Sequence, residues 1–133
     1  MEIDSNQLTT LDTGIFDALA NLAYLNIGNN QISSLPLGIF DALANLAYLN
    51  IGNNQLTTLD LNGLYNLQQL NLQNNQLTSL DLNGLSSLYY LWADNNQLSS
   101  LTFDRLPNLW YLGVGNNLLT TLPDSLTDSQ NMR

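Results

Sequence analysis

The chain has no cysteine, no histidine and no lysine, and its only basic side chains are Arg105 and Arg133. Without cysteine there is neither a disulfide framework nor a thiolate metal site, and redox usage says nothing about the compartment. Without histidine or cysteine, the commonest general base, the thiolate nucleophile and the usual transition-metal ligands are all missing, which argues against an enzyme. Phosphate binding needs clustered lysine or arginine. A balance of eleven acids against two arginines, net −9, therefore argues against nucleic acid as a partner. No stretch approaches the roughly 20 apolar residues of a membrane span, and Met1-Glu2-Ile3-Asp4 has neither a basic n-region nor an apolar h-region. Localisation stays open between the cytoplasm and a secreted or cell-surface fragment. Twenty-one asparagines include no Asn-x-Ser/Thr sequon, which weighs mildly against a glycosylated ectodomain.

What the chain does have is repetition. The segment Gly14 to Gln31 recurs without a change from Gly38 to Gln55, displaced by 24 residues. A looser copy runs through the whole chain as LxxLxLxxNxLxxL, with a period of 24 at first and 21 afterwards. Its apolar register is Leu22, Leu25, Ile27, Ile32, Leu35 in one copy and Leu88, Leu91, Ala93, Leu98, Leu101 in a later one. Self-similarity at this period fixes the architecture before any window-by-window reading. The boundaries are a half repeat at 1–21 and full repeats at 22–45, 46–66, 67–87, 88–108 and 109–131, together one domain over 1–133.

With an asparagine at Asn6, Asn30, Asn54, Asn75, Asn96 and Asn117, the pattern resembles the leucine-rich repeat. The early copies are similar to its 24-residue class, and the Leu-Asp-Leu-Asn-Gly-Leu copies to a 21-residue bacterial-like class. The resemblance implies an α/β solenoid, a right-handed superhelix with a parallel β-sheet on the concave face. Loops, 3₁₀ or short helical turns would lie on the convex face. It also implies a binding module with no cofactor. The residues agree with a stacked architecture: xxLxL alternates with the period of a half-buried strand. One such repeat is too short to stand alone, so stability must come from neighbours sharing a core. The asparagine carries a donor and an acceptor and can satisfy backbone groups in the turns above and below it, a structural role.

Asp12, Asp17, Asp41, Asp60, Asp81 and Asp104 fall on the convex side, where they read as a solvated acidic back. Asp60 and Asp81 stacked across turns fall short of the six to eight oxygens that Ca²⁺ takes. Asp94 is the only acid expected on the concave face, and a lone carboxylate is no catalytic constellation. The Thr and Ser doublets, such as Thr9-Thr10 and Thr57-Thr58, form a hydroxyl ladder common in the family, which favours its ordinary turn role over organising water.

The concave face changes character along the chain. Strands lie about 4.8 Å apart, so Tyr89 is expected beside Trp110, and Tyr90 beside Tyr111. Trp92 would face Gly113, leaving a hollow with an indole wall and a backbone floor. Tyr89, Tyr90, Trp92, Asp94, Trp110, Tyr111 and Gly113 are the candidate ligand-binding residues, because exposed aromatic patches mark interaction sites. A protein or peptide is the leading partner, polysaccharide the alternative; mere cross-strand stacking, or a self-associating or designed scaffold, would leave the patch without a ligand. Neither end shows a clear cap: Ile3, Leu8 and Leu11 are expected at an open edge, with Met132 the one plausible plug at the other end. This predicts either a fragment of a longer protein or homo-oligomers formed through the uncapped ends.

Overall fold

A computed structural model describes residues 1–128. Among these, the strands are three residues each: β1 Tyr24–Asn26, β2 Tyr48–Asn50, β3 Gln69–Asn71, β4 Ser79–Asp81, β5 Tyr90–Trp92, β6 Ser100–Thr102 and β7 Tyr111–Gly113. They form a five-stranded parallel sheet in the order β1-β2-β3-β5-β7 and a two-stranded parallel sheet, β4-β6. Leu25, Leu49, Leu70, Leu91 and Leu112 stand opposite one another, so register follows the 24- and then 21-residue spacing. Each of these leucines points inward while its two neighbours point out. The first four are fully buried in a single cluster that runs from Leu11 to Leu109. A one-residue slip would turn every leucine into solvent, which is why so short a strand holds its register.

The N-terminal half repeat joins the sheet. Ile3 N–H donates to Asn26 O at 2.9 Å, Ser5 N–H to Gly28 O at 3.1 Å, and Asn26 N–H to Met1 O at 3.0 Å. Residues 1–5 therefore run parallel to β1 and cover its edge. Of the apolar residues expected at that edge, Leu11 is buried, and Ile3 and Leu8 are partly buried against the core. Met132 lies outside the described residues.

The back of the solenoid differs from the expected α/β architecture. Among the described residues the one helical element is a 3₁₀ helix, Asp124–Asp128, and the molecule is a parallel β-solenoid. In the 24-residue copies the back is a tight turn, with Asp17 N–H donating to Gly14 O and Asp41 N–H to Gly38 O, both at 3.0 Å. That turn delivers Phe16 and Phe40 to the core, stacked with centroids 6.4 Å apart. In the 21-residue copies Leu80-Asp81-Leu82 alternates with period two. Such a segment extends rather than coils, giving β4 and, one turn on, β6. The two periods meet at Gly63. Its φ is 91°, and a Cβ there would lie 2.9 Å from Asp41 Cα and 3.1 Å from Phe40 O, so only glycine fits.

Asparagines stitch the turns together. Asn54 Nδ2 donates to Ile51 O in its own turn and to Ile27 O in the preceding one, both at 3.1 Å, while Oδ1 accepts from Ile32 N–H at 3.0 Å. Asn30, Asn75, Asn96 and Asn117 repeat the scheme. Every one of these reaches back to the preceding turn; none reaches forward. Asn6, with no turn before it, bonds only Ile3 O and Asp4 O and is exposed. The residue before each of Asn30, Asn54, Asn75, Asn96 and Asn117 is a second asparagine with φ between 52° and 57°, a left-handed conformation that asparagine tolerates better than most side chains.

Candidate functional site

Rows of outward side chains cross the five-stranded sheet. One row runs Tyr24, Tyr48, Gln69, Tyr90, Tyr111 and the next Asn26, Asn50, Asn71, Trp92, Gly113. Ala23, Ala47, Gln68, Tyr89 and Trp110 precede the strands in a third row, linked by the hydrogen bonds from Ala47, Gln68, Tyr89 and Trp110 N–H to the residue before each.

Five rings meet at the C-terminal end. Tyr89 stacks on Trp110 at 6.0 Å and 3°, and Tyr90 on Trp92 at 5.3 Å and 9°. The two stacks stand nearly perpendicular: Tyr90 meets Trp110 edge-on at 78° and Tyr89 at 75°. Tyr111 is tilted against Tyr90 and Trp92 by 45° and 40°. Tyr89 and Tyr111 are exposed, and Tyr90, Trp92 and Trp110 are half-buried. The three hydroxyls and two indole N–H groups make no hydrogen bond among the described residues. The rings pack on each other, and their polar tips keep bonding capacity to spare.

The hollow expected over Gly113 is filled. A Cβ on that residue would lie 2.6 Å from Asp94 Oδ2 and 3.1 Å from both Cε1 and Oη of Tyr111. Asp94 itself is pinned, Oδ1 accepting from Gly115 N–H at 2.9 Å and Oδ2 from Gln73 Nε2 at 3.3 Å. Its position is explained by what surrounds it. In the earlier strands Asn26, Asn50 and Asn71 accept the N–H two residues on, from Gly28, Gly52 and Gln73, at 2.9–3.1 Å. Gly113 has no side chain for this, and Asp94 reaches across from the previous turn to take Gly115 N–H instead.

Other features of this face were hidden in the sequence. Because Ile3 packs inward beside Ile27, Glu2 and Asp4 on either side of it project to the outer face, at the places held in the next turn by Asn26 and Gly28. The face thus carries three carboxylates rather than one. At that same end Tyr24 and Tyr48 stack at 4.6 Å and 5°. Burial, and then the neighbouring Tyr24 phenol, push the Tyr48 hydroxyl above its ordinary pKa. The recurrence of Tyr in identical copies at strand spacing was the available signal for that stack.

On the back, Asp60 and Asp81 accept Asn62 and Asn83 N–H at 3.1 and 2.9 Å, which makes them turn-forming residues. Among the described residues, no group of three or more acidic, histidine or cysteine side chains could hold a metal ion.

Models of the leucine rich repeat match residues 1–56 and 66–88. A leucine-rich-repeat protein of Leptospira interrogans superposes on 100% of this chain with a TM-score of 0.88 and 32% identity. An internalin of Listeria monocytogenes does so over 96% of the chain, with a TM-score of 0.75 and 31% identity. The leucine-rich-repeat domain of APL1 covers 87%, at 0.72 and 27%. This chain spans 35%, 38% and 36% of those three chains respectively. No curated protein matches the sequence.

Proposed function

The chain belongs to the leucine-rich-repeat family, and from that premise we propose that it is a non-enzymatic module binding a protein or peptide on the outer face of its five-stranded sheet. The aromatic cluster of Tyr89, Tyr90, Trp92, Trp110 and Tyr111 is its contact surface. The observation that carries this reading is the state of those five rings: packed edge and face into a fixed shape, partly exposed, with every polar tip unused. Tyrosine and tryptophan prearranged in this way lose little entropy on binding and dominate hot spots.

Ring tilt weighs against the polysaccharide alternative. A sugar platform wants faces turned outward in one plane, whereas these rings cover each other's faces and stand at 75–78° between stacks. A protein surface tolerates any tilt. Catalysis finds no support either, since Asp94 already accepts two hydrogen bonds and no second acid lies in its row near β5 and β7.

The test is selection of a displayed random-peptide library on the protein, followed by titration of the enriched peptides. Trp92→Ala with Trp110→Ala should weaken binding at least about tenfold, since hot-spot truncations cost 2 kcal/mol or more, with the circular dichroism spectrum unchanged. Peptides that bind both proteins equally, or glycans that bind where no peptide does, would remove the proposal.

A further inference from the structure

Resting on that reading, we propose that the segment it binds is basic, and that an arginine side chain of the partner packs on the exposed Tyr111 ring beside Trp92 with its charge at Asp94. The geometry supplies each element of such a site. Trp92 pairs across the sheet with Gly113, and the indole and the Tyr111 ring already touch, 5.9 Å apart at 40°, so the ring a partner meets is that of Tyr111, which is exposed. Asp94 Oδ2 and Tyr111 Oη both lie within 3.1 Å of the point above Gly113 where a Cβ would be, so carboxylate, phenol and indole converge. Asp94 is held there by two neutral N–H donors, each oxygen keeping acceptor capacity for a guanidinium fork. Arginine is the side chain that both stacks on aromatic faces and presents such a fork.

Charge over the rest of the face points the same way. Glu2 and Asp4 project at the opposite end of the sheet, and no strand carries a lysine or arginine. Arg105, the one arginine among the described residues, lies in the loop between β6 and β7. With a net of −9, the molecule would steer a cationic segment toward itself and repel an acidic one.

Trp92 and Trp110 are the chain's two tryptophans, so intrinsic fluorescence reports on this site alone. The probes are nona-arginine and its uncharged isostere, nona-citrulline, titrated against the wild type, Asp94→Asn and Asp104→Asn. Asparagine at 94 keeps an oxygen for Gly115 N–H, so the fold should survive. Asp104→Asn removes the same unit of charge from the back. Nona-arginine should bind and shift the emission, nona-citrulline should bind about tenfold more weakly or not at all, and Asp94→Asn should cost nona-arginine about tenfold while Asp104→Asn costs less than about twofold. Equal losses in the two variants, or equal binding of the two peptides, would overturn the arginine site. If library peptides without arginine still require Trp92 and Trp110, the binding module stands and the basic partner falls. If no peptide of any charge depends on the tryptophans, both fall.

Discussion

The two ends of the outer face are built on the same inner rows and present different chemistry. At β1 and β2 the exposed rows are alanine, a Tyr24–Tyr48 stack at 4.6 Å, and Asn26 and Asn50, each accepting the N–H of the glycine two residues on. At β5 and β7 the same places hold Tyr89 and Trp110, Tyr90 and Tyr111, and Trp92 and Gly113. Beneath both, the leucine rows and buried asparagines continue without a break. Surface and scaffold are thus separable, because period two assigns alternate residues to the two faces. The separation has one limit: Gly113 cannot cap a strand end, and Gly115 N–H is satisfied only because Asp94 reaches over from the turn before.

The strongest way to break this comparison is to remove a buried asparagine from each half. Asn54→Ala would leave Ile32 N–H without its partner and Ile27 O with Asn30 as its one remaining asparagine donor, and Asn96→Ala would do the same to Leu77 N–H and to Leu72 O, which keeps Asn75. An orphaned buried N–H costs about 1–3 kcal/mol, so both variants should lose about that much in urea unfolding. The losses should agree within about 1 kcal/mol, as neighbour-coupled stacking shares damage along the array. A large difference would show that the halves are not one cooperative unit.

A comparable, more local effect sharpens the boundary between the two periods. Gly63→Ala forces a Cβ against Asp41 Cα at 2.9 Å on top of a φ of 91°, whereas Gly84→Ala at φ 83° meets only the Tyr65 ring at 3.8 Å. The first should cost about 2–4 kcal/mol and the second only the conformational term of about 1–2 kcal/mol. Similar costs in denaturant titration would mean that the junction yields easily.

Converting one end into the other tests whether the aromatics serve stability. Trp92→Asn restores the side chain found at Asn26, Asn50 and Asn71, able to accept the N–H two residues on, while deleting the stack on Tyr90. A gained cap and a lost aromatic pair are each about 0.5–1 kcal/mol, so the unfolding midpoint should barely move. Binding of library-selected peptides should nonetheless drop. A stability loss well beyond that range would make the cluster a structural element.

Spacing alone made the leucine rows, the asparagine positions and the neighbourhood of Tyr89 with Trp110 legible, since each follows from a period of 21 and an alternation of two. The filled space over Gly113 was not legible, because it depends on Asp94 reaching across turns to a donor 21 residues away. Glu2 and Asp4 were missed on this face because their placement follows from how residues 1–5 pair with β1, which half a repeat does not declare. The short strands on the back, where loops, 3₁₀ or short helical turns were expected, have a local reason: Leu80-Asp81-Leu82 has the alternation of a strand, and the structure follows it.

The faintest contrast between the two ends is a titration. Tyr48 is raised by burial and by Tyr24, so its neutral phenol is favoured in the folded state relative to the unfolded chain. The sign follows: this contribution is complete below the unfolded tyrosine pKa of about 10 and fades as pH climbs through the higher folded value. Tyr24→Phe keeps the stacked ring and removes the neighbouring phenolate, leaving burial as the remaining cause. Absorbance at the phenolate band should therefore show one tyrosine titrating late in the wild type and somewhat earlier in Tyr24→Phe. A late tyrosine that survives Tyr48→Phe would place the shifted group elsewhere, and the two-ring stack at the β1–β2 end would lose its only titratable mark.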